Sequence, residues 1–380
     1  MIKRPRVFMY VLLVFSLYGC GQNTNSPSPL KEAPNSFNDP VILGLQTKAY
    51  HQIRMQAQAT SKATWSGSYW PNGKLGIANR WQDGMGFVNP NTFAAPQIDQ
   101  VMRMSPEQRN RLSPAEKYDL IIGRADFPVT NYEINLSRQF WNYHGGSIPE
   151  WFGICDGWAI ASMMTVEPRQ SIRVPTPFEF TVDIYPADLK AMLSFFFAKT
   201  AIYARIVGGR CNQQTVMTDS NGRPSSSECR DLNPATLHLA LDDIIGRQNR
   251  PLILDTNPGH EVWNAPVTAY RMGYQNFRPW YPDGTYPHAA AGTSYLVDVA
   301  VEFQHTAGSF PQYQPEGNLS NFSAIYYTLE LDAEQRIIGG EWSSSDHPDF
   351  LWDLIRYDPV SSSVPVMNFE TLSYLLQYAR

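Results

Sequence analysis

The sequence predicts an α+β fold in which helices come mainly first and strands mainly last, with the strands forming an antiparallel sheet. Of the 380 residues, 43% are hydrophobic and 17% are charged, which allows a large buried core and excludes a disordered chain. Aromatic residues make up 13% of the chain, which also contains 25 glycines and 29 prolines. This composition is typical of a mixed, loop-rich protein with many strands rather than of a helical bundle.

The order of the predicted elements gives this layout. Helices are predicted over 113–123, 155–165, 186–199, 234–248 and 369–378. Strands are predicted over 251–255, 262–270, 294–303, 323–331 and 336–342. Residues 332–335 separate two strand-like runs and are predicted to form a hairpin loop.

The first twenty residues predict export and lipid anchoring. Residues 3–6 hold three basic side chains, and the apolar run over 7–17 has the length of a signal-peptide core, too short to span a bilayer. The next residues, up to Cys20, resemble the lipobox of bacterial lipoproteins, in which the cysteine is lipidated and becomes the mature N-terminus. Gly21 follows, where an aspartate retains many lipoproteins in the inner membrane, so we expect an outer-membrane anchor facing the periplasm or the cell surface. The alternative is an ordinary secretory signal in which Cys20 is incidental.

Three parts are predicted along the chain: a signal peptide over 1–19, a lipid-anchored flexible tether over 20–63 and one folded domain over 64–380. Residues 21–39 are rich in Asn, Ser and Pro, which is typical of a linker. The net charge is −5 and no cluster of Lys and Arg is present, which excludes a nucleic-acid-binding protein. We expect a monomer.

Cys211 and Cys229 flank a polar segment and are predicted to form a disulfide in an oxidising compartment. Closing a loop of this size stabilises a fold by roughly 3 kcal/mol on the chain-entropy estimate. Two free thiols are the alternative. A zinc pair is disfavoured because neither cysteine has a second ligand at zinc spacing.

The remaining cysteine, Cys155, has the surroundings of a nucleophile. It stands shortly before the apolar run 160–164, at a predicted helix start, where the helix dipole lowers the pKa of a thiol. Gly153 allows a tight turn and the close approach of a substrate. An odd thiol in an exported protein needs an explanation beyond packing. The structural alternative is a buried cysteine at the head of a core helix.

A cysteine nucleophile needs a histidine base and usually a third group that orients the imidazole ring. His238 follows the helix start Asn233-Pro234 and shares an inward face with Leu241. Asp255 ends a predicted strand and is expected to supply the orienting carboxylate; the alternative is a turn acid that accepts backbone N–H groups. A buried structural histidine is an equal alternative for His238. His347, in a loop between a strand and a predicted helix, is the rival base, and sequence spacing does not choose between the two.

Several segments together resemble the transglutaminase elicitor family, secreted protein-crosslinking enzymes of plant-pathogenic oomycetes and Vibrio-like bacteria. The matching segments are 65–71, 75–81, 112–119, 151–159, 261–267 and 339–352. They extend over most of the chain, and their number and order carry the resemblance, since no single segment is diagnostic.

The resemblance implies a papain-like core with Cys155 as nucleophile, an acyl-enzyme formed from a peptidyl glutamine, and a lysine amine as acceptor. It also implies Ca²⁺ dependence for some members. The sequence departs from the family at Asp156, where many relatives carry His or Asn, and a carboxylate there raises the pKa of the neighbouring thiol. Pro149 stands where papain-type peptidases keep an oxyanion-donating glutamine, so the sequence names no second oxyanion donor.

The leading hypothesis is therefore a lipid-anchored protein-glutamine gamma-glutamyltransferase with a transglutaminase-like catalytic domain. Its expected partners are proteins or peptides with Gln and Lys, and the membrane through its anchor. The chemistry requires no cofactor, and Ca²⁺ is possible although the sequence has no EF-hand spacing. Two alternatives remain: a papain-like cysteine peptidase or amidase of the cell envelope, in which water resolves the acyl-enzyme, and a catalytically silent surface binding protein.

Overall fold

The structure is a computed structural model that describes residues 37–380 except 54–56, 85, 212–214, 219–223, 227–228, 257–258, 283–285, 287–288, 316 and 363–366. The predicted signal peptide and Cys20 therefore lie outside the described residues. None of the helices in the described part is both long and apolar enough to cross a membrane.

Most described strands form one antiparallel sheet, as the sequence predicts. The strands are β1 (Ala57–Ala59), β2 (Ile172–Pro175), β3 (Thr181–Ile184), β4 (Thr200–Gly208), β5 (Leu252–Asp255), β6 (Asn264–Pro279), β7 (Tyr295–Thr306), β8 (Ser320–Leu331), β9 (Ile337–Trp342) and β10 (Phe350–Ser362). In the main sheet their order is β4-β10-β5-β6-β7-β8-β9, and β1 adds to β6. β2 and β3 form a separate hairpin.

The helices lie mainly before this sheet in the chain. They are α1 (Ile98–Met102), α2 (Pro106–Asn110), α3 (Pro114–Ile121), α4 (Pro128–Tyr143), α5 (Cys155–Met164), α6 (Pro186–Lys199), α7 (Pro234–Ala240) and α8 (Phe369–Tyr378). Several begin at a serine or asparagine cap followed by proline, which satisfies the first free amides of the helix.

The two faces of the sheet cover two separate hydrophobic clusters. On the short strand β5, Ile253 belongs to the first cluster, with α5 and α6, whereas Leu252 and Leu254 belong to the second, with α7. On β10, Trp352 and Leu351 divide in the same way. Because successive side chains of a strand point to opposite faces, α5 and α7 lie on opposite sides of this part of the sheet.

Helix α5 packs closely on α6 because of Gly157. A Cβ atom at this position would lie 2.1 Å from the Ser194 carbonyl oxygen and 2.6 Å from the Ala198 side chain, so a larger residue would push the two helices apart. The close packing fixes the start of α5, and Cys155 with it, against the first cluster.

Most predicted elements agree with the structure, and α6 and α8 have the predicted bounds. The hairpin loop at 332–335 joins β8 and β9. Two predictions are wrong: the 234–248 helix becomes a π-helix over Leu241–Arg247, and the helix expected after His347 is strand β10. Helix α4 was not predicted, because its buried face includes the polar residues Thr130, Glu133 and Ser137, which weaken the apolar periodicity.

Part of the segment assigned to the tether packs on the body of the protein. Leu43, Leu45 and Ile53 are buried in the second cluster, and β1 pairs with β6 over three residues. The ordered body therefore begins well before residue 64.

Candidate active site

Cys155 is the first residue of α5, as predicted, and carries a free thiol. The turn before it is fixed by a hydrogen bond of 2.7 Å from the Ile154 amide to the Tyr69 carbonyl oxygen. A Cβ atom at Gly153 would lie 2.3 Å from the same oxygen, so only glycine allows this approach. The side chain of Cys155 is left with 7% of its surface exposed.

The thiol lies against the start of β6. Its Sγ atom is 3.5 Å from the Val262 carbonyl oxygen, to which it donates, and the Asn264 side-chain amide donates to Sγ at 3.7 Å. The Trp352 indole N–H donates to Asn264 Oδ1 at 2.9 Å. Because the indole is only a donor, it fixes the orientation of the amide, and Nδ2 must face the sulfur.

Asp255 lies on the same face of the sheet as these groups. It is two residues beyond Ile253 on β5 and directly opposite Asn264 on β6, and it is fully buried. Its Oδ1 atom accepts the Trp263 amide at 2.8 Å, so it fixes the backbone between Val262 and Asn264. The structure thus brings together Cys155 and Asp255, two of the predicted site residues.

The surroundings of the thiol keep it protonated at neutral pH. Burial and the negative charges of Asp156 and Asp255 together raise the pKa of Cys155 to about 12, although hydrogen bonds from Asn264 oppose the shift. Burial also raises the pKa of Asp156 itself. Asp156 therefore raises the pKa of the thiol, as predicted. Burial raises this pKa by more than the dipole of α5 lowers it.

His238 lies on the other side of the sheet, in α7. It is fully buried, and its Nδ1 and Nε2 atoms are 2.7 Å and 3.0 Å from the hydroxyls of Tyr327 and Tyr274. Burial lowers the pKa of this imidazole to about 3, and the Lys48 charge contributes. The structure does not join His238 to Cys155, and we do not retain it as the base.

His347 also does not contact the thiol. Its ring stacks on Trp342 at 4.9 Å, and its Nε2 atom is 3.8 Å from Asp231 Oδ2. Burial lowers the pKa of His347 to about 4. Burial raises the pKa of Asp349, and the charges of Asp231 and Asp255 raise it further, so Asp349 interacts both with Asp231, beside His347, and with Asp255 in the candidate site.

A histidine that the predicted site does not include, His260, lies close in the chain to the carbonyl that contacts the thiol. His260 lies in the segment 259–263 that joins β5 to β6, two residues before the carbonyl that contacts the thiol. Its exposed ring meets Trp151 edge-on at 6.3 Å. The sequence contained a hint, because His260 directly precedes the segment 261–267 that carries the family resemblance.

The predicted disulfide between Cys211 and Cys229 is present. Within the residues that the structure describes, no group of three or more His, Cys, Asp or Glu side chains could hold a metal ion. Calcium binding therefore stays an expectation.

Comparisons with known proteins bear on the fold and the family of the chain. A model of the transglutaminase elicitor family matches residues 42–379. The crystal structure of the GP42 transglutaminase from Phytophthora sojae matches with a TM-score of 0.66 and 21% identity, covering 92% of this chain and 99% of that chain, which shows a common fold. No curated protein matches. The chain therefore belongs to the transglutaminase elicitor family.

Proposed function

We propose that the protein is a protein-glutamine gamma-glutamyltransferase that acts through a Cys155 acyl-enzyme. The observation that supports this best is the Asn264 amide, which points at Sγ and is held by Trp352. In this reaction the sulfur attacks the carboxamide carbon of a glutamine, and negative charge develops on the carbonyl oxygen. Asn264 Nδ2 and the Cys155 amide, at the start of α5, are the two donors for that oxygen. Asn264 thus supplies the donor that sequence alone did not name.

The acyl-enzyme forms when the C–N bond of the tetrahedral intermediate breaks and ammonia leaves. A lysine amine then attacks the thioester carbonyl, the C–S bond breaks and the isopeptide bond forms. The base carries a proton from the amine to the sulfur, which regenerates the Cys155 thiol. Because the thiol is protonated, a base must take its proton during attack and deliver it to the leaving ammonia. We propose His260 as this base, because its segment contacts the thiol.

Asp255 has a positioning role in this proposal. It holds the Trp263 amide at 2.8 Å and so fixes the carboxyl end of the segment that carries His260. The reaction needs no cofactor.

We further propose that Cys20 anchors the protein to the outer membrane, with the domain facing the periplasm or the cell surface. The lipobox-like sequence at 17–20 supports this placement.

The experiment that tests the function is amine incorporation. Residues 21–380 are incubated with a glutamine-rich protein and a tagged primary amine, with Ca²⁺ or with a chelator, and Cys155→Ala is the control. Label that requires Cys155 supports the transferase. Cys155-dependent release of ammonia or cleavage of peptide without label would identify a hydrolase.

A specific observation favours a second candidate, a binding protein without catalysis. The thiol is almost covered, and its pKa is raised to about 12. Neither label nor hydrolysis, with the Cys155 thiol intact, would make this the better account.

A further inference from the structure

The segment 259–263 connects two residues of the candidate site, Asp255 on β5 and Asn264 on β6. Its position is fixed at its carboxyl end, where Asp255 accepts the Trp263 amide. At its amino end, the Gly259 amide donates to the Asp349 carboxylate. Arg210 contacts the middle of the segment, where its Nη2 atom donates to the His260 carbonyl oxygen at 2.9 Å.

Arg210 also contacts the part of the chain that leads to the thiol. Its guanidinium lies over the Trp151 ring at 5.0 Å, within the range of a cation–π interaction. Trp151 meets the His260 ring at 6.3 Å and stands four residues before Cys155. One arginine thus holds His260 by its backbone and Trp151 by its ring.

The backbone of Arg210 is itself held from both sides. Before it, strand β4 ends at Gly208, and the Gly209 amide donates to the Asp349 carbonyl oxygen at 3.2 Å. After it comes Cys211, which is joined to Cys229. Cys229 is 2% exposed and lies just before Leu232, which is part of the second cluster.

We propose that Arg210 is a positioning residue that holds His260 beside the Cys155 site, and that the Cys211–Cys229 disulfide fixes Arg210 for this role. The inference rests on the proposed function, since it assigns the bridge a part in catalysis. Without this role, a disulfide between cysteines 18 residues apart in the sequence would only stabilise the fold.

The test compares five variants of residues 21–380, one of which combines two of the changes. Arg210→Met removes the charge and the donor, whereas Arg210→Lys keeps a charged donor without the planar guanidinium. The double change Cys211→Ala and Cys229→Ala removes the bridge. Arg205→Met is the matched control, because Arg205 lies on β4, the strand that leads to Arg210, and also donates to a backbone carbonyl, that of Leu43, away from the site.

Two readouts are needed: kcat and KM for amine incorporation, and hydrogen exchange of the amides at 259–263. We expect Arg210→Met to lower kcat at least tenfold with little change in KM, and to speed exchange of that segment. Removal of the bridge should have the same two effects. Arg210→Lys should retain part of the activity that Arg210→Met loses. Combining Arg210→Met with loss of the bridge should lower kcat little more than either change alone, because both changes disrupt the same series of contacts to His260.

Wild-type exchange at 259–263 in Arg210→Met, or faster exchange without a fall in kcat, would overturn the proposal. So would full additivity of the two changes, or an equal loss in Arg205→Met. If the wild-type protein incorporates no amine, the proposed function fails. Hydrogen exchange still decides whether Arg210 and the bridge hold the segment.

Discussion

Replacing Asn264 by alanine removes the amide that points at the thiol, and the structure gives the size of the effect. Nδ2 lies 3.7 Å from Sγ and is turned towards it by Trp352. Loss of one preorganised oxyanion donor lowers kcat by about 10²–10³, or roughly 2.7–4 kcal/mol of transition-state stabilisation. We expect this loss in kcat with a much smaller change in KM, because the donor acts on charge that develops during the reaction.

The same change also affects stability, and a control must separate the two effects. Without Asn264 Oδ1, the buried Trp352 N–H loses its acceptor, which costs about 1–3 kcal/mol. Asn264→Asp keeps an acceptor for the indole but replaces the donor by an anionic oxygen beside the sulfur. We therefore expect Asn264→Asp to be at least as inactive as Asn264→Ala, while unfolding at a higher denaturant concentration.

The assay is steady-state amine incorporation, normalised to the concentration of titrated Cys155 thiol. If folded Asn264→Ala keeps more than a third of the wild-type kcat, Asn264 is not an oxyanion donor. The thiol contact would then be a packing contact only.

Three other predictions follow from the same geometry. His260→Ala should lower kcat by about 10²–10⁴, the usual contribution of a general base, whereas His238→Gln should leave kcat per folded molecule within a fewfold; equal losses would contradict the assignment. Asp156→Asn should lower the pKa of Cys155, seen as faster alkylation by iodoacetamide at pH 8 than in the wild type, and an unchanged alkylation profile would show that burial alone sets it. The pKa of His238 is about 3 in the folded protein and 6.5 ordinarily, so between these pH values only the unfolded chain binds a proton there. The free energy of unfolding should therefore fall as the pH drops from about 6.5 towards 3. Urea unfolding at pH 7 and pH 4.5 checks this, and His238→Gln should lessen the difference.

The sequence predicts elements whose determinants are local. Helix α6 begins at a proline and runs through a nearly continuous apolar stretch, so its bounds are visible without the fold. The Cys211–Cys229 bridge closes a short polar loop, and Cys155 is marked by Gly153 and the apolar run after it. The sequence does not predict helix α4, because the polar residues Glu133 and Ser137 on its buried face interrupt the apolar periodicity.

The partners of Cys155 are not local. Asn264 and Trp352 are separated from each other by 88 residues and reach the thiol only because β5, β6 and β10 are neighbours in the sheet. For His238, the sequence pattern is local but does not distinguish a catalytic from a structural role. An inward-facing histidine on a helix has the same pattern whether it serves a site or a core, and only the sheet between α7 and α5 distinguishes them.

The electrostatics of the site decide when the thiol loses its proton. Because the pKa of Cys155 is raised to about 12, the thiol is protonated at neutral pH, and a preformed thiolate–imidazolium pair is disfavoured. Proton removal must then accompany attack on the carboxamide, and the base must already be in place when the substrate arrives. Because His260 lies on an exposed segment rather than in the core, its position depends on Asp255, Asp349 and Arg210. In the proposed mechanism, the protonated thiol therefore requires a base that is already held in position. Variants that loosen the segment 259–263 should lower the rate of acylation more than they weaken substrate binding.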